Sequence, residues 1–201
     1  MGSQMSTLRP LVPVGGDTLS QAQMQHLYPL PQITTSIFAR ELIPAMVIPN
    51  VGGWIWGYLL SREFEGPSTW YERLRKPSWT PPNWVFGPVW TVLYGGMGAA
   101  SWLVWRQGGG STGTARIPLV LYATQLALNW AWSPVFFKYH RLGLAFATIS
   151  ALWINVAACI GSFYPISETA AYLMVPYLGW LTLAAAGNFR FWRDNPGADG
   201  L

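Results

Sequence analysis

The chain has 201 residues, of which 51% are apolar and only 10% charged, and its mean hydropathy is +0.24. Soluble domains carry roughly 25% charged residues, so this composition excludes an ordinary water-facing surface and points to a membrane. Twelve Lys and Arg scattered among long neutral runs make no basic face for nucleic acid despite the net charge of +4, and the single Cys159 excludes both a disulfide framework and a cysteine zinc cluster.

Residues 1–35 are polar, include Pro10, Pro13, Pro29 and Pro31, and lack an apolar core of signal-peptide length. They also carry too few positive charges for a mitochondrial presequence, and are expected to form a disordered extension. Beyond them, Asp, Glu, Lys and Arg are absent from five windows, 42–61, 77–105, 117–137, 142–167 and 169–189, of 20, 29, 21, 26 and 21 residues. About 20 apolar residues cross a bilayer as a helix. The expected fold is therefore all-α: an integral membrane bundle of five transmembrane helices near 38–61, 82–106, 117–137, 142–163 and 170–192. These form one domain over 36–195, followed by a short tail over 196–201. A soluble five-helix protein would need charges at every turn of its outer faces, and these windows have none.

The stretches between the windows read as loops. "RQGGGSTGTAR" (106–116) is rich in Gly, Ser and Thr, and "KYHR" (138–141) is a short polar hairpin. With five spans, Arg9, Arg40, Arg106 and Arg116 fall on one side. Arg62, Arg73, Arg75, Lys76, Lys138, Arg141, Arg190 and Arg193 fall on the other. The excess of Lys and Arg places the C-terminus in the cytosol by the positive-inside rule.

"KPSWTPPNWVFGPVW" (76–90) holds four prolines and three tryptophans in fifteen residues. Proline fixes φ, removes a donor and pushes the preceding residue out of the helical region, so Lys76 to Pro81 should be extended. Pro82 suits a first helical turn. Trp79 is expected at headgroup depth and Trp90 two turns inside. One reading is an aromatic belt with a helix start. The other is the rim of a flat apolar slot for a planar or polycyclic ligand. Gly53-x-x-x-Gly57 and Gly96-x-x-x-Ala100 permit close helix approach, either between two copies as a homodimer or within one bundle. His26 and His140 both lie outside the spans, no carboxylate is buried in them, and no phosphate loop or metal-ligand cluster appears. No standard active site and no obligatory cofactor are expected.

"WYERLRKPSWTPPNWVFGPVWTVLYGGMGAASWLVW" (70–105), "QLALNWAWSPVFF" (125–137) and "PYLGWLTLAAAGNFRFWRDN" (176–195) resemble, in order, segments of the translocator protein family, also called the tryptophan-rich sensory protein or peripheral benzodiazepine receptor family. The resemblance spans about residues 40 to 195. It implies a five-helix bundle that often dimerises and binds protoporphyrin IX, haem, cholesterol and synthetic isoquinoline and benzodiazepine ligands. The implied pocket lies under the loop joining the first two spans. It is formed by Tyr71, Phe86, Gly87, Val89, Trp90, Asn129, Trp130, Trp180, Ala184 and Gly187. Trp90 and Trp180 can hold a planar ligand between them by offset stacking. Asn129 supplies either a hydrogen bond to the ligand or an interhelical bond.

This chain departs from the family in two places. In the C-terminal sterol motif, Leu183, Phe189 and Arg190 or Arg193 stand in order, with Phe189 in place of the tyrosine. Leu144 replaces a tryptophan that packs on synthetic ligands in mammalian members. The resemblance implies a membrane receptor or transporter for porphyrin and possible sterol cargo. Alternatives are a light-dependent porphyrin-degrading enzyme acting through Trp90 and Trp180, and a scaffold or stress regulator with no required ligand. The N-terminal extension and the "FWRDN" ending (191–195) favour the outer mitochondrial membrane over the endoplasmic reticulum or a bacterial envelope.

Overall fold

A computed structural model describes residues 38–61 and 69–199. The extension expected over 1–35, with Arg9 and His26, lies outside the described residues. So do Arg62, Glu63 and Glu65 of the first loop and the last two residues of the tail. Among the described residues there are five long helices and one short one, and no strand. They are α1 (Ile43–Leu59, entered through a π turn at Phe38–Leu42), α2 (Trp70–Arg73), α3 (Asn83–Gln107), α4 (Arg116–Ser133, continued by a π turn at Pro134–Lys138), α5 (Leu142–Phe163) and α6 (Glu168–Asp194).

Local chemistry explains several of the helix ends. Pro82 stands just before α3 with ψ 144°, one residue earlier than a first-turn position, and the helix starts at Asn83. The segment before it is not uniformly extended, because Thr80 N–H reaches Pro77 O at 3.0 Å and closes a turn around Ser78 and Trp79. Between α3 and α4 the chain reverses through Gly109 (φ 75°) and Gly110 (φ 68°), a backbone region that disfavours residues with a Cβ. Ser167 caps α6, its hydroxyl accepting from Ala170 N–H at 3.4 Å. Asp199 folds back so that one carboxylate oxygen accepts from the backbone N–H groups of Leu142 and Gly143, covering orphan donors at the start of α5.

Pro49 cannot donate to Ala45 O, and α3 approaches α1 at this point. A Cβ on Gly98 would strike Ala45 O and Met46 Cα, so only glycine allows the contact. The helices pack as a ring in the order α1, α3, α6, α5, α4, with a thinner seam between α4 and α1. A Cβ on Gly53 would meet the Tyr94 ring, so this glycine serves packing within one bundle.

The distribution of polarity is inverted relative to a soluble protein. Gln125, Asn129, Asn50 and Asn188 are buried, while Ile48, Ile55, Val92, Ile117, Val120 and Ile154 are exposed. Lipid explains both halves of that pattern, because it accepts the aliphatic surface and offers no partner to an amide. Among the described residues three helices are long and apolar enough to cross a membrane, over Arg40–Leu59, Leu142–Phe163 and Glu168–Asp194, and fewer than a third of the residues in each apolar stretch are buried. Helix α3 carries four tryptophans and four glycines, and α4 carries Arg116, Gln125 and Asn129, which lower their mean hydropathy.

Candidate functional site: an indole-lined cavity

The first loop roofs the bundle because its apolar residues have somewhere to go. Tyr71 of α2 is 4% exposed, with its ring 5.5 Å from Phe137 and 6.0 Å from Phe191. Leu74 is buried beside it. The Lys76 ammonium lies 4.0 Å from the Tyr71 ring centre and forms a 2.7 Å ion pair with Glu72. That hydrogen bond, with one from Asn83, holds the Glu72 carboxyl below its usual range. Burial, helped by the Glu72 charge, pushes the Tyr71 hydroxyl up to about 12.

Beneath this roof lies a cavity of about 820 Å³ between α1, α3, α4 and α6, with Ile149 and Leu152 of α5 in its wall. Seven of the thirteen tryptophans line it, and no Asp, Glu, Lys, Arg or His does. Eight of the site residues expected from sequence face this one space: Tyr71, Phe86, Gly87, Trp90, Asn129, Trp180, Ala184 and Gly187.

Three do not. Trp130 turns to α1, where its indole N–H donates to Pro49 O at 3.3 Å and its ring covers Gly52. Val89 packs against the hydrophobic core beside Trp90 and does not line the space. Leu144 is 55% exposed on the outer surface of α5. The sterol-motif residues also separate. Leu183 lines the cavity, whereas Phe189 lies on the outside near Phe146, with the Arg193 guanidinium 5.6 Å from its ring centre. Arg190 and Arg193 both pair with Asp194.

Trp90 and Trp180 face the same cavity but pair with different rings. Trp90 leans on Tyr94 at 5.3 Å and meets Tyr177 edge-on at 5.9 Å, while Trp180 meets Phe86 edge-on at 5.7 Å. Asn129 is engaged between helices. Its Oδ1 accepts from Tyr94 OH at 2.5 Å, and its Nδ2 donates to Tyr177 OH at 2.9 Å. Tyr177 then donates to Gln125 Oε1 at 3.1 Å.

Sequence reasoning assigned no pocket residue to α1, yet Asn50, Trp54, Trp56 and Gly57 line the cavity. Trp79, expected at headgroup depth, also lines it, as do Trp132 and Asn188, which share a 3.0 Å hydrogen bond. The available signal for Trp132 was its spacing, three residues after Asn129 on one helical face. Two polar atoms of the lining, Asn50 Oδ1 and Trp180 Nε1, are buried without a hydrogen-bond partner. An unmet buried group costs about 1–3 kcal/mol. Chemically, the space suits a broad apolar molecule able to accept from one wall and donate to the other.

The TspO/MBR family model matches residues 45–193. The chain is 44% identical over 163 residues to the translocator protein of Homo sapiens, covering 79% of this chain and 94% of that one. It is 43% identical over 166 residues to the translocator protein of Sus scrofa, covering 81% and 96%. A bacterial relative, the tryptophan-rich sensory protein of Cereibacter sphaeroides, is 43% identical over 129 residues, covering 64% and 78%. With the inverted polarity of the bundle and a match running from α1 to the end of α6, the chain belongs to the TspO/MBR family of membrane proteins.

Proposed function

We propose that this protein is a membrane receptor or translocator that takes a flat polycyclic ligand, a porphyrin such as protoporphyrin IX or haem, into the cavity under its first loop. The observation that carries this reading is the charge-free, tryptophan-rich lining of an 820 Å³ space, within the roughly 300–1,000 Å³ range of small-molecule sites. The names of the mammalian and bacterial relatives, translocator and sensory protein, agree with it. A porphyrin ring would stack against the indoles of the lining. Cholesterol is a second candidate for the same space, because the lining is predominantly apolar.

The test is quenching of tryptophan fluorescence by protoporphyrin IX in detergent. Trp90→Ala and Trp180→Ala should each weaken binding about tenfold, an amount equal to about 1.4 kcal/mol. Trp105→Phe, at the far end of α3, should leave affinity unchanged. Equal affinity in all four proteins would reject the site.

The density of indoles favours one further reading, light-dependent degradation of a bound porphyrin. Illuminated wild type should then bleach the Soret band faster than Trp90→Phe; equal rates would exclude it.

A further inference from the structure

A second cleft lies outside the bundle, at the loop end of α6. It is a shallow, open depression of about 540 Å³ lined by Arg75, Lys76, Arg190, Arg193, Asp194 and Pro196. The basic residues come from two segments more than a hundred residues apart, and the backbone fastens them together. Arg75 N–H donates to Asn195 Oδ1 at 2.7 Å, and Asn195 Nδ2 donates back to Arg75 O at 3.1 Å and to Phe191 O at 2.9 Å. The cluster is thus built into the fold rather than assembled by chance encounter of mobile side chains.

Its charges do not cancel. Lys76 is paired with Glu72, and Arg190 and Arg193 share the single carboxylate of Asp194 at 2.6 and 2.8 Å. The Arg75 side chain has no ionic partner among the described residues. Four cations against two carboxylates, Asp194 and Glu72, leave a surplus of two positive charges. A phosphate monoester carries about 1.5 to 2 negative charges at neutral pH. The guanidinium fork presents paired donors that match phosphate oxygens, and Arg190 and Arg193 each meet Asp194 through Nε. The half-exposed Trp192 and Phe189 stand on the same turns of α6, so an acyl chain would have apolar surface beside the headgroup.

We propose that this cleft is an anion site for a phosphate group, carried by a lipid headgroup at the membrane surface or by a free phosphate. It is separate from the cavity and does not rest on any ligand binding there. Basic clusters next to a membrane helix attract anionic lipid with a strength that falls as salt rises. Here the bound group would be gripped individually by Arg75 and the arginines of α6.

The full-length protein in neutral detergent would be titrated with dioctanoyl phosphatidic acid, dioctanoyl phosphatidylcholine and inorganic phosphate. Phosphatidic acid should bind, with affinity falling several-fold between 50 and 300 mM salt, and phosphatidylcholine should bind at least tenfold more weakly. Competition by millimolar inorganic phosphate assigns the site to the phosphate group alone; its failure to compete assigns it to the lipid form. Arg75→Gln should weaken binding about tenfold and Arg75→Lys less, with both variants keeping the wild-type melting temperature and protoporphyrin IX titration. Equal binding of the two lipids, no binding of either anion, or unchanged affinity in Arg75→Gln would overturn the proposal.

Discussion

Asn129 sits between two tyrosine hydroxyls, accepting from Tyr94 of α3 and donating to Tyr177 of α6, at the wall of the cavity. All three side chains are at most 7% exposed, so none can exchange its partner for water. Replacing Asn129 with Leu keeps the number and branching of side-chain heavy atoms and strands the Tyr94 hydroxyl. The expected loss is about 1–3 kcal/mol, toward the lower end because interhelical bonds in membranes average about 0.6 kcal/mol. A thermal melt in detergent measures it, and an unchanged midpoint would remove Asn129 from the framework. The "NWAW" run made Asn129 visible in the sequence, but not the direction of its neighbour. The family resemblance implies Trp130 as a pocket residue, whereas its indole N–H turns to Pro49 O. At the roof, the depressed Glu72 carboxyl contributes stability that is present above pH 4.5, its ordinary value, and lost as pH falls through its lowered one. The raised Tyr71 hydroxyl contributes stability present below pH 10 and lost as pH climbs toward 12. Protease cleavage within residues 70–80 should therefore increase on acidification below pH 4.5, and Glu72→Gln should flatten that rise. A profile identical in the two proteins would count against the pair.

Helix α1 is bound to its neighbours through the absence of side chains as much as through their presence. Pro49 frees a carbonyl, Gly98 allows α3 to lie against it, and Gly52 accepts the Trp130 ring. Gly98→Val would push branched carbons into the α1 backbone, which has no rotamer by which to yield. Overpacking of this kind costs about 1–3 kcal/mol, occasionally more. The melting temperature should drop accordingly, whereas Gly161→Ala, with nothing within 4 Å of its Cβ, should melt as wild type does. Charge-free windows located the long helices because each excludes Asp, Glu, Lys and Arg over its middle, with Arg106, Arg116, Glu168, Arg190, Arg193 and Asp194 confined to the ends. They were silent about α2, a single turn held by the burial of Tyr71, and about the turn at Pro77–Thr80. Both depend on contacts with α4 and α6, and no local propensity encodes those. The same blindness hid the contribution of α1 to the cavity, since its Gly53 and Gly57 read equally well as a packing stripe.

Among the described residues, Asn50, Gln125, Asn129 and Asn188 and the Tyr94 and Tyr177 phenols turn inward, while Ile48, Ile55, Val92, Ile117, Val120 and Ile154 turn outward. The charge-free windows predict that α3 and α4 cross the membrane along with the three more apolar helices, with their polar residues spent on the interior network and the cavity. A five-span arrangement predicts that the loop at 109–113 and the tail at 196–199 lie on opposite sides of the membrane. Single cysteines placed at Gly110 and Ala198 in a Cys159→Ala background should react with an impermeant maleimide from opposite faces of sealed vesicles. Reaction from one face would reduce the span count. The central claim, that the indole-lined space is where ligand binds, is tested most directly by filling it. Gly57 and Gly87 both line the cavity, and a Cβ on either meets no atom within 4 Å. Leucine at either position therefore adds bulk at a residue of the cavity lining with no clash at its Cβ. A protoporphyrin IX titration of Gly57→Leu and Gly87→Leu should show affinity lowered at least tenfold at an unchanged melting temperature. Wild-type affinity in both folded variants would contradict the assignment of the cavity as the binding site.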